Sequence, residues 1–315
     1  MTGTLHHDGV APAEPRLRPG PVVVGISTRR DTAYERSLRA AGEWAGRRNV
    51  DVKLVAGLGP APADAEEDAV SRFALAEIDR AADHLALQLD PNQRIHTSAV
   101  HDSGVGALVA ESRSAGLVVL QRRRLGPLAR LREGSTSAAV AARAECPVLI
   151  VHADDPLSEA SSDFGGVVVG VDDRGHAAHA IAAAFDEASF RGVSLTAVTV
   201  WAPAGPTFVP PDDQELEVGR NAAGLQLAEQ LAGYRDRYPD VVVHELALAG
   251  GAEPVLADVC EGHQLLVVAR HTEGHGVRRS LGGVTRRIIE EARCPVLVTP
   301  SSRPAPVARH RSGDH

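Results

Sequence analysis

Short runs of β-branched and apolar residues alternate along this chain with longer stretches in which apolar residues recur at helical spacing. In the first half the runs Val22–Ile26, Val52–Gly57, Ile95–Val100, Leu117–Leu120 and Val148–Val151 read as strands. In the second half Val167–Val171, Leu195–Val200, Val241–Leu246, Leu265–Ala269 and Val296–Thr299 do the same. Tyr34, Leu38, Ala41 and Ala45 form one apolar stripe of helical period, and Ile181, Ala184, Phe185 and Ala188 form its counterpart. Longer helices are expected from about Glu66 to Leu87 and from Asp213 to Arg237. Strands that are apolar nearly throughout, separated by helices, predict an α/β fold: a doubly wound parallel sheet with helices on both faces.

The pattern is also written twice. Val22-Val23-Val24-Gly25-Ile26 returns as Val167-Val168-Val169-Gly170-Val171, and Cys146-Pro147-Val148-Leu149 returns as Cys294-Pro295-Val296-Leu297. The intervals, 145 residues from Gly25 to Gly170 and 148 from Cys146 to Cys294, nearly agree. Two copies of one unit therefore follow each other with little insertion. The expected organisation is a domain over 21–152 and a second over 166–300, each with a five-stranded parallel sheet. The segments 1–20, 153–165 and 301–315, rich in Pro, Ser and charge, read as a disordered tail, a linker and a second disordered tail. With 315 residues and 43% hydrophobic content, each unit can bury a core of its own.

Charge and cysteine content narrow the function. A net charge of −8 argues against general nucleic-acid binding. No apolar run approaches the roughly 20 residues that span a bilayer, and the start of the chain lacks the apolar stretch of a signal peptide, so the expected location is cytoplasmic, away from membranes. Cys146 and Cys294 head equivalent strands without Cys-x-x-Cys spacing and read as small buried hydrophobes. His176 with His179, and His271 with His275, have metal-like spacing, but neither pair finds a third ligand, so no metal site is expected.

Ligands of an open parallel sheet collect beyond the carboxyl ends of its strands, where the winding reverses. After the first strand of the second copy come Asp172 and Asp173, where a carboxylate could accept from a ribose hydroxyl or cap the next helix. After its fourth strand comes Ala269-Arg270-His271-Thr272-Glu273-Gly274, and then a helix opened by Gly282-Gly283-Val284-Thr285. Exposed N–H groups at that start, with the Thr hydroxyl beside them, suit a phosphate. In the first copy the run Arg122, Arg123, Arg124, Arg130 and Arg132 admits three readings: a solvated loop face, capture of a phosphorylated molecule, or nucleic acid.

At these residues the chain resembles the universal stress protein family in its tandem two-domain form, across both repeats. The resemblance rests on Val-Val-Val-Gly-Val-Asp, Gly-Gly-Val-Thr-Arg-Arg-Ile-Ile and Cys-Pro-Val-Leu-Val in order and at matching intervals. It implies two domains paired face to face, a regulatory and non-enzymatic role in stress adaptation, and the fifth strands as the pairing edge. A homodimer and an unidentified protein partner are compatible with it. ATP-binding members of the family carry Gly-x-x-Gly, nine residues, then Gly-Ser or Gly-Thr, with Asp after strand one. On that pattern the second copy would hold ATP or another adenine nucleotide, with magnesium for a triphosphate, through Asp172, Val200, Ala269, Thr272, Gly274, Gly282, Gly283, Val284 and Thr285. Ala269 and Thr272 replace the two early glycines, and Gly283 replaces the hydroxyl residue. The first copy departs further: its counterparts are Ser27, Gly57, Gln121, Arg124, Gly134, Ser135, Thr136 and Ser137, a degenerate site. Neither Ser27-Thr28-Arg29-Arg30 nor Asp172-Asp173-Arg174-Gly175 supplies the Ser-Gly-Gly-x-Asp-Ser loop of adenylating relatives. No Gly-x-Ser-x-Gly elbow or Gly-x-x-x-x-Gly-Lys loop occurs either, so any ATP hydrolysis should be slow. The alternative is a nucleotide-independent scaffold whose pockets are vestigial.

Overall fold

The computed structural model describes residues 18–27, 34–59, 67–122, 136–152, 165–172, 175–203, 212–273 and 280–301. The first half builds β1 (Val22–Gly25), α1 (Glu35–Arg48), β2 (Val52–Gly57), α2 (Glu67–Ala86), β3 (Ile95–Val100), α3 (Gly104–Glu111), β4 (Leu117–Arg122), α4 (Thr136–Arg143) and β5 (Val148–His152). The second builds β6 (Gly165–Val171), α5 (Ala178–Arg191), β7 (Leu195–Trp201), α6 (Asp213–Arg237), β8 (Val243–Ala249), α7 (Ala252–Val259) and β9 (His263–Ala269). It closes with the short pair β10 (Thr272–Glu273) and β11 (Ser280–Leu281), then α8 (Gly283–Glu291) and β12 (Val296–Thr299).

Ten strands form one sheet in the order β3-β2-β1-β4-β5-β12-β9-β6-β7-β8. Every neighbouring pair is parallel except β5 with β12, where Leu149 faces Leu297 in antiparallel register. Each half is thus a five-stranded parallel sheet, and the halves join edge to edge through their fifth strands. The face-to-face pairing expected from the resemblance is corrected here. Two strands with open backbone edges satisfy each other's N–H and C=O groups when one half is turned over against the other. The turn also sends the carboxyl ends of the two halves to opposite margins of the joint sheet.

Alternation along the strands sorts the core into two layers. Val22, Val24, Val167 and Val169 face α1, α2, α5 and α6, with Leu38, Trp44, Ile78 and Phe185. Val23 and Val168 face the other side, with Leu108, Val140, Leu256 and Ile288. Both layers run unbroken across the joint. Strand β4 extends two residues beyond the predicted Leu120 because Gln121 and Arg122 pair with Val151 and His152. Strand β8 starts at Val243 instead of Val241, since the Val241 N–H is drawn into a turn to the Tyr238 carbonyl.

Charged side chains cross the joint in two places. Glu187 of α5 is 1% exposed; its Oε1 accepts from Trp44 Nε1 at 3.0 Å and Arg48 Nη2 at 2.9 Å, both from α1 of the other half. Its Oε2 accepts from Nε and Nη2 of Arg191. Burial alone would raise the Glu187 pKa, but the Arg191 and Arg48 charges outweigh it and hold the carboxyl below its usual range. At the second place the halves exchange arginines. Arg122 donates to the Ile289 carbonyl in the last turn of α8, and Arg270 donates to Ala144 at 2.6 Å and Ala141 at 3.4 Å at the end of α4. Each cation thereby answers carbonyls that have no partner within their own helix.

Candidate functional site

In the second half the reversal of winding falls between β6 and β9, and the residues that leave those strands converge there. Asp172 follows β6 directly. Its Oδ1 accepts from the His176 main-chain N at 3.1 Å, and its Oδ2 lies 3.2 Å from His176 Nδ1. The helix-capping role open to it from sequence is not the one it plays: the N-cap of α5 is Ala177, without a side-chain bond, and the carboxylate instead closes the turn that precedes it. Its main-chain carbonyl accepts from Gln230 of α6. The His176 ring stands edge-on to that of His271, with centroids 6.5 Å apart. The His271 carbonyl accepts from the Gly282 N–H at 2.9 Å, and a Cβ on Gly282 would come within 2.9 Å of the His271 ring. Asp172, His176, His271 and the start of α8 thus form one contiguous edge.

The start of α8 has Gly282 as its N-cap, with no side-chain capping bond. Gly282 is buried, whereas Gly283 and Val284 are exposed, so N–H groups of the first turn are left for an outside acceptor. Thr285 is 3% exposed, which buries the residue expected to add its hydroxyl to the cradle. Ala269 is half-buried at the end of β9, and Val200 lies near the end of β7. Thr272 falls in β10, and Gly274 lies outside the described residues. Trp201, next after Val200, lies so close to α6 that a Cβ on Gly219 would approach its ring to 2.3 Å. Its Nε1 is buried without a hydrogen-bond partner among the described residues.

The first-half counterpart is differently occupied. Ser27 is exposed where the second half has Asp172. Gly57 meets the start of α3 so closely that a Cβ would stand 2.5 Å from the backbone of Gly104, which gives this glycine a packing reason. Gln121 turns its Oε1 to the main-chain N of Ser37, 3.3 Å away in α1, and so fills space at the winding reversal. Thr136 is exposed and Ser137 buried at the start of α4; Arg124, Gly134 and Ser135 lie outside the described residues.

The structure revises the basic run at its first member. Arg122 is 8% exposed and belongs to β4 and the joint, not to a solvated loop face. Arg123, Arg124, Arg130 and Arg132 lie outside the described residues. Sequence reasoning missed the exchanged arginines, although a signal was present: Arg122 and Arg270 are 148 residues apart, the interval that separates Cys146 from Cys294. It also paired the histidines by sequence spacing, whereas the fold brings His176 to His271. Among the described residues no group of three or more His, Cys, Asp and Glu side chains is placed to hold a metal ion.

A tandem α/β chain whose halves repeat one fold, the second with Asp172 beside an open helix start, defines a class that known proteins share. The sequence profile of the universal stress protein family matches residues 20–152 and again 164–300. A universal stress protein of Mycobacterium tuberculosis is 35% identical over 69% of this chain and 72% of its own length. One from Mycolicibacterium smegmatis is 36% identical over 65% of this chain and 68% of its own. The solved universal stress protein of Archaeoglobus fulgidus superposes with a TM-score of 0.65 at 14% identity, covering 89% of this chain and 96% of that one. A putative one from Pseudomonas aeruginosa gives 0.59 at 18% identity, covering 89% and 93%. This chain belongs to the universal stress protein family.

Proposed function

We propose that the chain is a non-enzymatic stress-response regulator of the cytoplasm, in which the second half takes an adenine nucleotide and the first serves as its structural partner. The observation that carries this reading is the convergence of Asp172, His176, His271 and the uncapped start of α8 on one edge. The helix start offers N–H donors and a positive dipole end to phosphate. Asp172 retains acceptor capacity beside its two His176 contacts, since an ionised carboxylate has about four lone-pair sites. A ribose hydroxyl could share it. In the first half Gln121 and the packed Gly57 stand where a nucleotide would need open backbone.

A second reading is favoured by one specific observation: both Asp172 oxygens are already engaged by His176. On that reading the edge is self-satisfied, and the protein is a scaffold read by a protein partner without nucleotide. Thermal unfolding with ATP or AMP, in magnesium, separates the two. At 100 times the dissociation constant, a ligand of the folded state adds about 2.7 kcal/mol, a rise of roughly 5 °C. The nucleotide reading expects that rise in the wild type and its loss in Asp172→Ala, each protein compared with itself because the substitution also removes the bond that closes the turn before α5. No rise in the wild type sinks it and leaves the scaffold.

A further inference from the structure

The ligand edge of the second half is not held by that half alone. Arg270 stands in the chain between Ala269, at the end of β9, and His271, whose carbonyl accepts the Gly282 N–H and whose ring lies against the same glycine. The main chain of Arg270 is fixed within its own half, where its N–H donates to the Thr299 carbonyl of β12 at 2.7 Å. Its side chain leaves that half: Nη1 donates to the carbonyls of Ala144 at 2.6 Å and Ala141 at 3.4 Å, at the end of α4.

The other segment that reaches Gly282 leans on the same helix. Strand β11 packs on α4, and its Leu281, the residue before Gly282, is 8% exposed and shares an apolar layer with Val140 and Ala141. The two segments that meet at Gly282, one through Arg270 and His271 and the other through Leu281, are therefore both seated on a helix of the first half. The N–H groups that a phosphate would meet begin one residue further on, at the exposed Gly283 and Val284. Hydrogen bonds weaken steeply as their angle closes, so a helix start that shifts when Arg270 lets go misaims these donors together.

We propose that Arg270 is a positioning residue for the nucleotide edge, and that the first half, through the carbonyls at the end of α4, completes a site whose ligand contacts all lie in the second. The proposal rests on the nucleotide reading above and adds to it what the first half does for that site. Linkage makes the arrangement two-way: whatever the Arg270 clasp contributes to nucleotide affinity, bound nucleotide contributes to the clasp.

The test is calorimetric titration of AMP into the full-length chain, with amide exchange followed by NMR. Arg270→Ala is expected to weaken AMP binding about tenfold and, with no nucleotide present, to speed exchange at the Gly282 N–H. Arg270→Lys keeps a cation over the two carbonyls and should restore most of both, which separates a lost bond from a chain that fails to fold. Arg48→Ala loosens the joint on the opposite face of the sheet, where Arg48 meets Glu187, and should change neither. In the wild type AMP should slow exchange at the Ala144 N–H, which donates to the Val140 carbonyl at 2.8 Å at the end of α4, and in Arg270→Ala it should not. AMP bound by Arg270→Ala as tightly as by wild type, an equal loss in Arg48→Ala, or no recovery in Arg270→Lys overturns the proposal and leaves the nucleotide reading standing. No AMP binding by the wild type removes that reading, and the proposal with it.

Discussion

Glu187 shows how much one side chain can decide. It answers an indole N–H and an arginine from one half of the chain and a second arginine from its own, all out of water. Removing it in Glu187→Ala leaves buried cations without a counter-charge, and a loss of about 3 kcal/mol or more is expected in urea unfolding. Its folded pKa lies below the ordinary value, so its contribution is present above about pH 4.5 and fades as pH falls through the depressed folded value. Subtracting the stability of Glu187→Gln from that of wild type at each pH should therefore give a difference that shrinks in acid; a difference flat down to pH 3 contradicts the assignment. Cys146 tests burial in another way. Desolvation pushes its thiol up to about 12, and all three cysteines are buried and free. Thiol reagents at pH 8 should modify the native protein slowly and the unfolded protein at once. The cysteine reading was legible in the sequence from position alone, whereas Glu187 looks there like any polar residue of a helix. Its partners Trp44 and Arg48 lie 143 and 139 residues away.

Strands and helices were largely legible because their signals are local. Val22–Gly25 and Val167–Val171 are β-branched apart from Gly25 and Gly170, and α1 and α5 carry stripes of period 3.6. What the chain hides is every contact that depends on the joint. Arg122 reads as the first of three loop arginines, yet its partner is Ile289, 167 residues on. The candidate edge was partly legible for the same reason: Asp172 and Gly282 follow strand ends, but the placement of His271 between them required the fold. Arg122 and Arg270 are elements of helix capping supplied by the opposite half. Arg122→Ala and Arg270→Ala are each expected to cost about 1.5–3 kcal/mol, the range for a hydrogen bond made by a charged group. Hydrogen exchange should report the loss in the last turns of α8 and α4 respectively. Unchanged protection there would show that the crossings add nothing to the joint.

At the scale of the whole molecule, the antiparallel contact of β5 with β12 closes what would otherwise be two exposed strand edges. A fragment holding only residues 164–300 exposes β12 and loses Trp44 and Arg48 from Glu187. In analytical ultracentrifugation it should self-associate or precipitate, and a stable monomer at micromolar concentration would contradict the pairing account. The two halves are equivalent in fold but not in their ligand edges. One is filled by Gln121 and tightened at Gly57; the other gathers Asp172, two histidines and an open helix start. The central claim is that this difference divides the labour between them. Isothermal titration of AMP, and of ATP with magnesium, into the full-length chain tests it most directly. A single site per chain, abolished by Asp172→Ala and untouched by Gln121→Ala, is the predicted result; two equivalent sites, or no saturable binding at all, would contradict it.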